Sequence, residues 1–236
     1  MESPTLSLMV PLHNERANLP ELLRQCVAAL EATGERWELI LVDDGSDDGS
    51  WQALQAAAQA DPRLKVLRHD TRLGKTAAYR TGFAAAQGAY LFTLDADLQE
   101  PPEAIGAMLE MLQSGAADMV VGWRRRRRDA PHKVWASRVF NAVLRRCFGL
   151  PLHDANCGFK GMRRAVADAL LPWLERDFHR YLPLIAQRLD YRVAEVEVVH
   201  CPRAHGRSRY GLERYGRAIA DLWVLYRKLP KVRNAT

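Results

Sequence analysis

In the first 125 residues, short apolar runs alternate with longer stretches whose apolar residues recur at helical spacing, and every apolar run ends in polar residues. The runs are LSLMVPL (6–12), WELILVDD (37–44), LKVLRH (64–69), AYLFTLDAD (89–97) and DMVVGW (118–123). Between them lie NLPELLRQCVAALEAT, SWQALQAAAQA, KTAAYRTGFAAAQ and PEAIGAMLEMLQS. Strands joined through helices pair side by side in the same direction, so the pattern predicts an α/β fold with a mostly parallel sheet and helices on both faces. Ligands of such sheets bind beyond the carboxyl ends of the strands. HNE, DDGSDDGS, RLGK, DADLQ and GWR stand at those ends, so five strands aim polar side chains at one crevice.

With 236 residues the chain is long enough for one well-cored unit and short for two. No apolar run reaches the roughly 18 to 20 residues that span a bilayer, and the N-terminus lacks a basic segment before its short apolar run, so the chain reads as cytoplasmic. Cys26, Cys147, Cys157 and Cys201 are far apart with no CxxC pair, which argues for reduced thiols and against a zinc site or disulfide framework.

After Arg124 the pattern changes to a basic linker, a helical stretch KVWASRVFNAVLRRCF, an irregular GLPLHDANCGFKG, two further helical stretches, a strand RVAEVEVVH and then CPRAHGRSRYG. The net charge of +6 is concentrated in Arg124 to Arg128 and in the last third of the chain. Such clusters suit polyanionic partners, namely nucleotide phosphates, nucleic acid or an anionic membrane face; a solvated basic face is the plain alternative for part of them. Toward the end, Leu212, Tyr215, Ile219, Leu222, Trp223 and Tyr226 fall on one predicted helical face among arginines. The expected organisation is therefore residues 1–210 as one domain, with a nucleotide-side half (1–125) and an acceptor-side half (126–210), and an amphipathic helix and tail at 211–236.

The stretch LFTLDADLQEPPE loads the end of a core strand with negative charge. In an extended segment Asp95 and Asp97 point to one side. Two carboxylates that close repel unless protonated or bridged, and a hard divalent ion accepts oxygen ligands while holding substrate phosphates. Gln99 adds a neutral oxygen. In VDDGSDDGS, Gly45 and Ser46 make the turn, Asp47 or Ser50 is the expected helix cap, and Asp43 and Asp44 are placed to accept hydrogen bonds from a ribose or a base imide. DTRLGKTAAYRTG lacks the GxxxxGK[ST] spacing of a P-loop; Lys75, at a helix start, reads either as a diphosphate ligand or as a solvated lysine.

Taken in order, PLHNE, LVDDGSDDGS, DADLQEPPE, VVGWR, DANCGFKG, HRYLP and RAHGRSRYG resemble the family 2 glycosyltransferases of the dolichol-phosphate mannose synthase type, including their bacterial polyprenyl-phosphate relatives. The resemblance runs from about residue 5 to residue 216. It implies a GT-A (Rossmann-like) fold and transfer of a sugar from a nucleoside diphosphate donor, of the GDP-mannose or UDP-glucose type, to undecaprenyl or dolichyl phosphate, with inversion at the anomeric carbon. It further implies a Mg²⁺ or Mn²⁺ ion at Asp95, Asp97 and Gln99, and a nucleotide-sugar pocket on Pro11, His13, Glu15, Asp43 and Asp44, with Asp95 beside it; Lys75 joins that pocket on the diphosphate reading of its helix start. Arg124 matches the arginine facing the phosphates, and Lys133 and Ser137 occupy the spacing where relatives bind the acceptor phosphate. Arg203 and the loop with Ser208 and Arg209 are expected to close over the site, on the acceptor-phosphate side.

The remaining motif residues keep more than one reading. A phosphomonoester acceptor has its second pKa near ~6 and is already a nucleophile at neutral pH, so Asp154 is a catalytic base, an orienting group or a loop support. His179 and Arg180 face the acceptor phosphate or cap a helix. The sequence departs from the family at Cys157, where many relatives carry serine, and at Arg209, where many carry lysine. It also ends at KLPKVRNAT without the C-terminal transmembrane helices of many bacterial relatives, so the terminal helix, or a separate membrane protein, is expected to hold the chain peripherally on the cytoplasmic membrane face. Transfer to a non-lipid acceptor is the alternative enzymatic reading. A non-catalytic nucleic-acid-binding module is the reading from another class; it has no RNP, HTH or KH pattern and leaves the strand-end carboxylates unexplained, so no nucleic-acid partner is expected.

Overall fold

The computed structural model describes residues 3–126, 131–203 and 213–230, with the side chains of 131–133 and 213–219 excepted. Strand β1 (Leu6–Leu12) leads to helix α1 (Leu19–Glu31), β2 (Trp37–Asp43), α2 (Ser50–Ala60), β3 (Leu64–Arg68), α3 (Lys75–Ala85), β4 (Tyr90–Thr93), α4 (Ile105–Gln113) and β5 (Met119–Trp123). Then follow α5 (Pro131–Phe148), β6 (Lys160–Arg163), α6 (Arg164–Leu170), α7 (Leu182–Arg188), β7 (Val193–Glu197) and α8 (Glu213–Lys228). The seven strands form one sheet in the order β3-β2-β1-β4-β6-β5-β7. All neighbours are parallel except β6, which runs antiparallel to both β4 and β5. This is the GT-A arrangement expected from the sequence.

Every residue of β1 and β2 is buried, which is why these strands read as continuous apolar runs and not as alternating ones. The chain leaves β1 toward β2 and β3 on one side and returns to place β4 on the other. The carboxyl ends of β1 and β4 therefore diverge at a topological switch point, where a crevice opens.

One feature differs from the sequence reading. KGMR forms the internal strand β6, although GLPLHDANCGFKG reads as irregular. Gly161 there lies opposite Phe92 of β4, and a Cβ at 161 would stand 2.5 Å from the Phe92 ring; the strand is built around an aromatic that only glycine accommodates. Helix α8 divides its apolar residues between the domain and solvent. It packs inward through Asp221, Leu225 and Leu229, with Leu222 partly buried, while Trp223 and Tyr226 point outward. The buried Asp221 carboxylate accepts a hydrogen bond from Arg176 Nε at 2.7 Å. Trp223 and Tyr226 belong to the apolar stripe that the sequence marks out. Of that stripe, Leu212 and the side chains of Tyr215 and Ile219 lie outside the described residues. Among the described residues no helix is long and apolar enough to cross a membrane.

Candidate active site

Beyond β1 and β2 two loops lace together. Asn14, in the left-handed region at φ 56°, donates its backbone N–H to Ser46 Oγ at 2.8 Å. Its side chain exchanges hydrogen bonds with Asp47 at 2.6 and 2.9 Å. Asp48 accepts from the Arg16 amide and from Ser50 Oγ, and Ser50 Oγ accepts from the Glu15 amide. Asp47 and Ser50 thus join the two loops, and the cap position of α2 falls to Gly49 at φ 86° instead. Gly45 is obligatory: its φ is 70° and a Cβ would meet the Thr71 backbone at 2.7 Å.

Asp44 organises the third loop. Its Oδ1 accepts from His69 Nδ1 and the Leu73 amide, and its Oδ2 from the Gly74 amide, each at 2.8 Å. Burial alone would raise this carboxyl, but the His69 and backbone hydrogen bonds outweigh it and hold it below the ordinary value. Asp43 is fully buried beneath, accepting from the Ser46 amide at 3.1 Å with Arg68 Nε 3.5 Å away. His13 Nδ1–H donates to the Asp44 carbonyl at 2.8 Å, and Glu15 accepts from Asn18 at 2.5 Å.

The backbone leaves the sheet after Thr93 and turns through Leu98 at φ 59°, which brings Asp95 and Asp97 onto the wall of a cavity of about 150 Å³. Pro11, His13, Glu15, Asp44, Lys75 and Arg203 line the same cavity. Lys75 Nζ donates to Asp95 Oδ1 at 2.6 Å, and Arg203 Nη2 to Asp97 Oδ2 at 2.5 Å. Gln99 offers its amide N–H to Asp97 Oδ1 at 3.2 Å, and its side-chain oxygen lies 3.5 Å from Arg203. Against the effect of burial, the Lys75 ammonium holds Asp95 below the ordinary carboxylate value. Burial, with the Asp95 charge beside it, raises Asp97. Asp95 and Asp97 share one wall of the cavity, and the Gln99 side-chain oxygen lies near the guanidinium that Asp97 binds; carboxylate and amide oxygens are the donors that a hard divalent ion takes.

Behind this wall lie further buried charges. Arg124 forks onto Asp154 at 2.7 and 3.0 Å and donates to Glu100 at 2.9 Å. Burial pushes Glu100 up to about 7, with Asp95 and Asp97 adding to it. Lys160 of β6 is 2 % exposed and donates to the Cys157 carbonyl; burial brings its ammonium down to about 8. Glu195 of β7 accepts from the His153 and Asp154 amides at 2.6 and 2.8 Å and so fixes the loop that carries Asp154. Glu100 and Lys160 sit inside DADLQE and CGFKG, so proximity to those motifs is the signal that could have found them.

The acceptor-side residues are more scattered. His179 is buried, shares a hydrogen bond of 2.7 Å with Thr76 Oγ1 and packs 5.6 Å from the Tyr79 ring. Burial first, then the charges of Lys75, Arg180 and Lys160, drives its imidazole well below the ordinary value, so it is neutral at neutral pH. Arg180 is partly buried beside it. Ser137 lies on α5, 3.5 Å from Asn141 Nδ2. Ser208, Arg209 and the side chain of Lys133 lie outside the described residues.

The sequence model described as "Glycosyl transferase family 2" matches residues 7–171. The undecaprenyl-phosphate 4-deoxy-4-formamido-L-arabinose transferase of Pseudomonas paraeruginosa (strain DSM 24068 / PA7) is 38% identical over 218 residues, which are 92% of this chain and 63% of that protein. Its namesake from Aeromonas hydrophila subsp. hydrophila is 37% identical over 92% of this chain and 66% of its own length. The chain thus spans less than two thirds of the curated relatives it matches. Among solved structures, the mannosyltransferase PcManGT of Pyrobaculum calidifontis with GDP-Man and Mn²⁺ superposes with a TM-score of 0.65, at 19% identity, over 98% of this chain and 66% of that one. Glucosyl-3-phosphoglycerate synthase of Mycobacterium tuberculosis, with Mn²⁺, UDP and glucosyl-3-phosphoglycerate, gives a TM-score of 0.64 at 19% identity over 97% and 81%.

Proposed function

The chain belongs to glycosyl transferase family 2, and from that membership we propose that it transfers a sugar from a nucleoside diphosphate donor to a polyprenyl phosphate, with inversion at the anomeric carbon. The observation that carries this reading is the cavity that joins a polar nucleotide side (His13, Glu15, Asp44) to a charged side (Lys75, Asp95, Asp97, Arg203). The acceptor class follows the relatives, whose name specifies undecaprenyl phosphate. Their name also places 4-deoxy-4-formamido-L-arabinose beside mannose and glucose among the donor sugars to test.

Asp95, Asp97 and Gln99 would hold Mg²⁺ or Mn²⁺, which when bound supplies positive charge against the leaving diphosphate. The protein's own groups do the rest. Lys75 and Arg203 stand within reach of the same diphosphate and add fixed positive charge where negative charge develops. Arg124 is held by Asp154 and Glu100, so it stiffens the wall behind the carboxylates and keeps a cation there. The acceptor phosphate is largely dianionic at neutral pH and attacks without a strong base. Asp154, committed to Arg124, is then a positioning residue. His179, neutral and hydrogen-bonded to Thr76, supports the start of the helix that carries Lys75.

A lipid-tailed acceptor has to be met at a membrane surface. Trp135, Val139 and Val143 form an exposed stripe on α5, and Trp223 and Tyr226 are exposed on α8. Tyr226 packs edge-on against Phe148 at 6.0 Å, which brings the C-terminal ends of α5 and α8 together. Arg138, Arg146, Arg227 and Lys228 are exposed on the same two helices. Aromatic residues within a basic rim suit the headgroup region of an anionic bilayer, which supports a peripheral location on the cytoplasmic face.

The test is Asp97→Ala. Its carboxylate is at the cavity wall and outside the sheet, so the variant is expected to fold with near-normal thermal stability and to lose sugar transfer; retained turnover would reject the role given to this carboxylate.

A further inference from the structure

We propose that the C-terminal ends of α5, α7 and α8 form a seat for the phosphate headgroup of an anionic lipid, built from Arg145, Arg146, Arg188 and Arg227. The inference rests on the membrane reading above and deepens it, by assigning the contact that makes binding depend on lipid charge.

Three helices end around one aromatic residue. Helix α5 closes with Arg145, Arg146 and Phe148, α7 with Arg188, and α8 with Arg227 and Lys228. The Phe148 ring is buried; Tyr226 meets it edge-on at 6.0 Å, and the Arg188 guanidinium lies 5.6 Å from its centre. The turn after α5 is tied down from two helices. Gln187 of α7 donates its side-chain amide to the Gly149 carbonyl at 2.8 Å, and Arg145 Nη1 donates to the Leu152 carbonyl at 3.2 Å. Arg227 lies 4.3 Å over the Trp223 ring. Arg145, Arg146 and Arg227 are exposed, and Arg188 is partly buried.

Carboxylates neutralise other surface arginines: Glu21 pairs with Arg24, Asp61 and Glu31 with Arg63, and Asp118 with Arg192. Among the described residues none pairs with Arg145, Arg146, Arg188 or Arg227; at these helix ends only Lys228 has such a partner, Glu175. The helix dipoles explain part of the arrangement. Each helix end carries about half a unit of negative charge, so three ends offset about 1.5 of the four positive charges. The seat stays positive and attracts an anion from outside.

The surface beside the seat selects which anion. Trp135, Val139 and Val143 are exposed on successive turns of α5, and Arg146 continues their line three residues further on. From Trp135 to Arg146 this stripe runs roughly 16 Å. A free phosphate or a nucleic-acid strand gains nothing from an apolar ridge. A lipid places its headgroup on the arginines and its acyl region against the indole and the valines. Ser137, on the acceptor side in the reading above, lies near the other end of the stripe, so a bilayer seated on the arginines extends along α5 toward the acceptor.

The experiment is sedimentation of the purified full chain with vesicles of phosphatidylcholine alone and of phosphatidylcholine mixed with phosphatidylglycerol. The wild type is expected to bind the mixed vesicles at least about tenfold more tightly, and to lose that preference in high salt. Arg146→Gln, Arg188→Gln and Arg227→Gln are each expected to weaken binding to the mixed vesicles by about fivefold, and the triple variant by about a hundredfold, with binding to pure phosphatidylcholine unchanged. Arg24→Gln is the charge control: it removes one charge from α1, where Glu21 already pairs with it, and is expected to change binding by less than about twofold. The Tm of each variant reads its folding. Arg146 and Arg227 are exposed, so their variants decide the matter even if Arg188→Gln loosens the helix ends.

Equal binding to the two kinds of vesicle would overturn the inference and leave the membrane reading intact. Arginine variants that bind mixed vesicles as well as Arg24→Gln does would have the same meaning. Inorganic phosphate or a single-stranded RNA that binds the wild type more tightly than the mixed vesicles do would make that anion the occupant and overturn the lipid. A wild type that binds no vesicle would defeat the membrane reading and the inference with it.

Discussion

The carboxylate of Asp95 occupies the space that a side chain at Gly158 would need: a Cβ there would lie 2.4 to 2.6 Å from the three carboxyl atoms. The loop before β6 and the end of β4 therefore fit together only because residue 158 is glycine. Thr93 Oγ1, two residues before Asp95, donates to the Gly158 carbonyl at 2.8 Å and locks the contact. This loop decides where Asp95, a carboxylate proposed to hold the metal, stands.

Gly158→Ala should then act on the site from behind. The added methyl forces Asp95 or the loop to shift, at a cost of about 1–3 kcal/mol typical of overpacking. Expected are a folded protein with lowered Tm and sugar transfer reduced by tenfold or more. Wild-type turnover with unchanged Tm would show that the contact is looser than described.

His179 gives a pH dependence with a defined sign. Burial keeps its folded imidazole well below its ordinary value of 6.5, so the unfolded chain takes up a proton that the folded one refuses. Its contribution is complete above pH 6.5 and is lost as the pH falls below that value, by up to about 1.4 kcal/mol per pH unit. His179→Gln keeps a hydrogen bond to Thr76 and removes the titration. Chemical denaturation between pH 6.5 and 5 should show a shallower loss of stability in the variant; parallel curves would contradict a buried neutral imidazole.

The exposed tryptophans test the membrane reading without touching the cavity. Trp135 and Trp223 are 69% and 58% exposed, so replacing both with serine should leave Tm within about 1 °C. Sedimentation with phosphatidylglycerol vesicles is expected to fall by about tenfold in the double variant and to weaken with salt in both proteins. Equal vesicle binding by the two proteins would remove this surface from the account.

How far the sequence could be read follows from where each signal sits. The strands β1 to β5 and their polar ends were legible because a parallel sheet writes its strands as isolated apolar runs and gathers function at one edge. Strand β6 was not, because KGMR is four residues long and its place depends on Phe92 filling the space above Gly161. The amphipathic stripe of α8 was legible, but the buried Asp221 was not, because its partner Arg176 is 45 positions away and hydropathy cannot supply it. The cavity residues Lys75, Asp95, Asp97 and Arg203 were legible as separate motifs. Their pairing was not, since the partners are 20 and 106 residues apart. Glu100 and Lys160 are charges whose burial is set by tertiary packing alone.

The most direct test of the central claim is donor consumption by the purified protein. Undecaprenyl or dolichyl phosphate in detergent serves as acceptor, with Mg²⁺ or Mn²⁺ and a panel of UDP- and GDP-sugars that includes a 4-deoxy-4-formamido-L-arabinose donor. Lipid-linked sugar from one donor, abolished by EDTA and restored by excess metal, is the expected result. Nucleotide and metal binding without lipid-linked product from any donor, even on anionic vesicles, would contradict transfer to a polyprenyl phosphate.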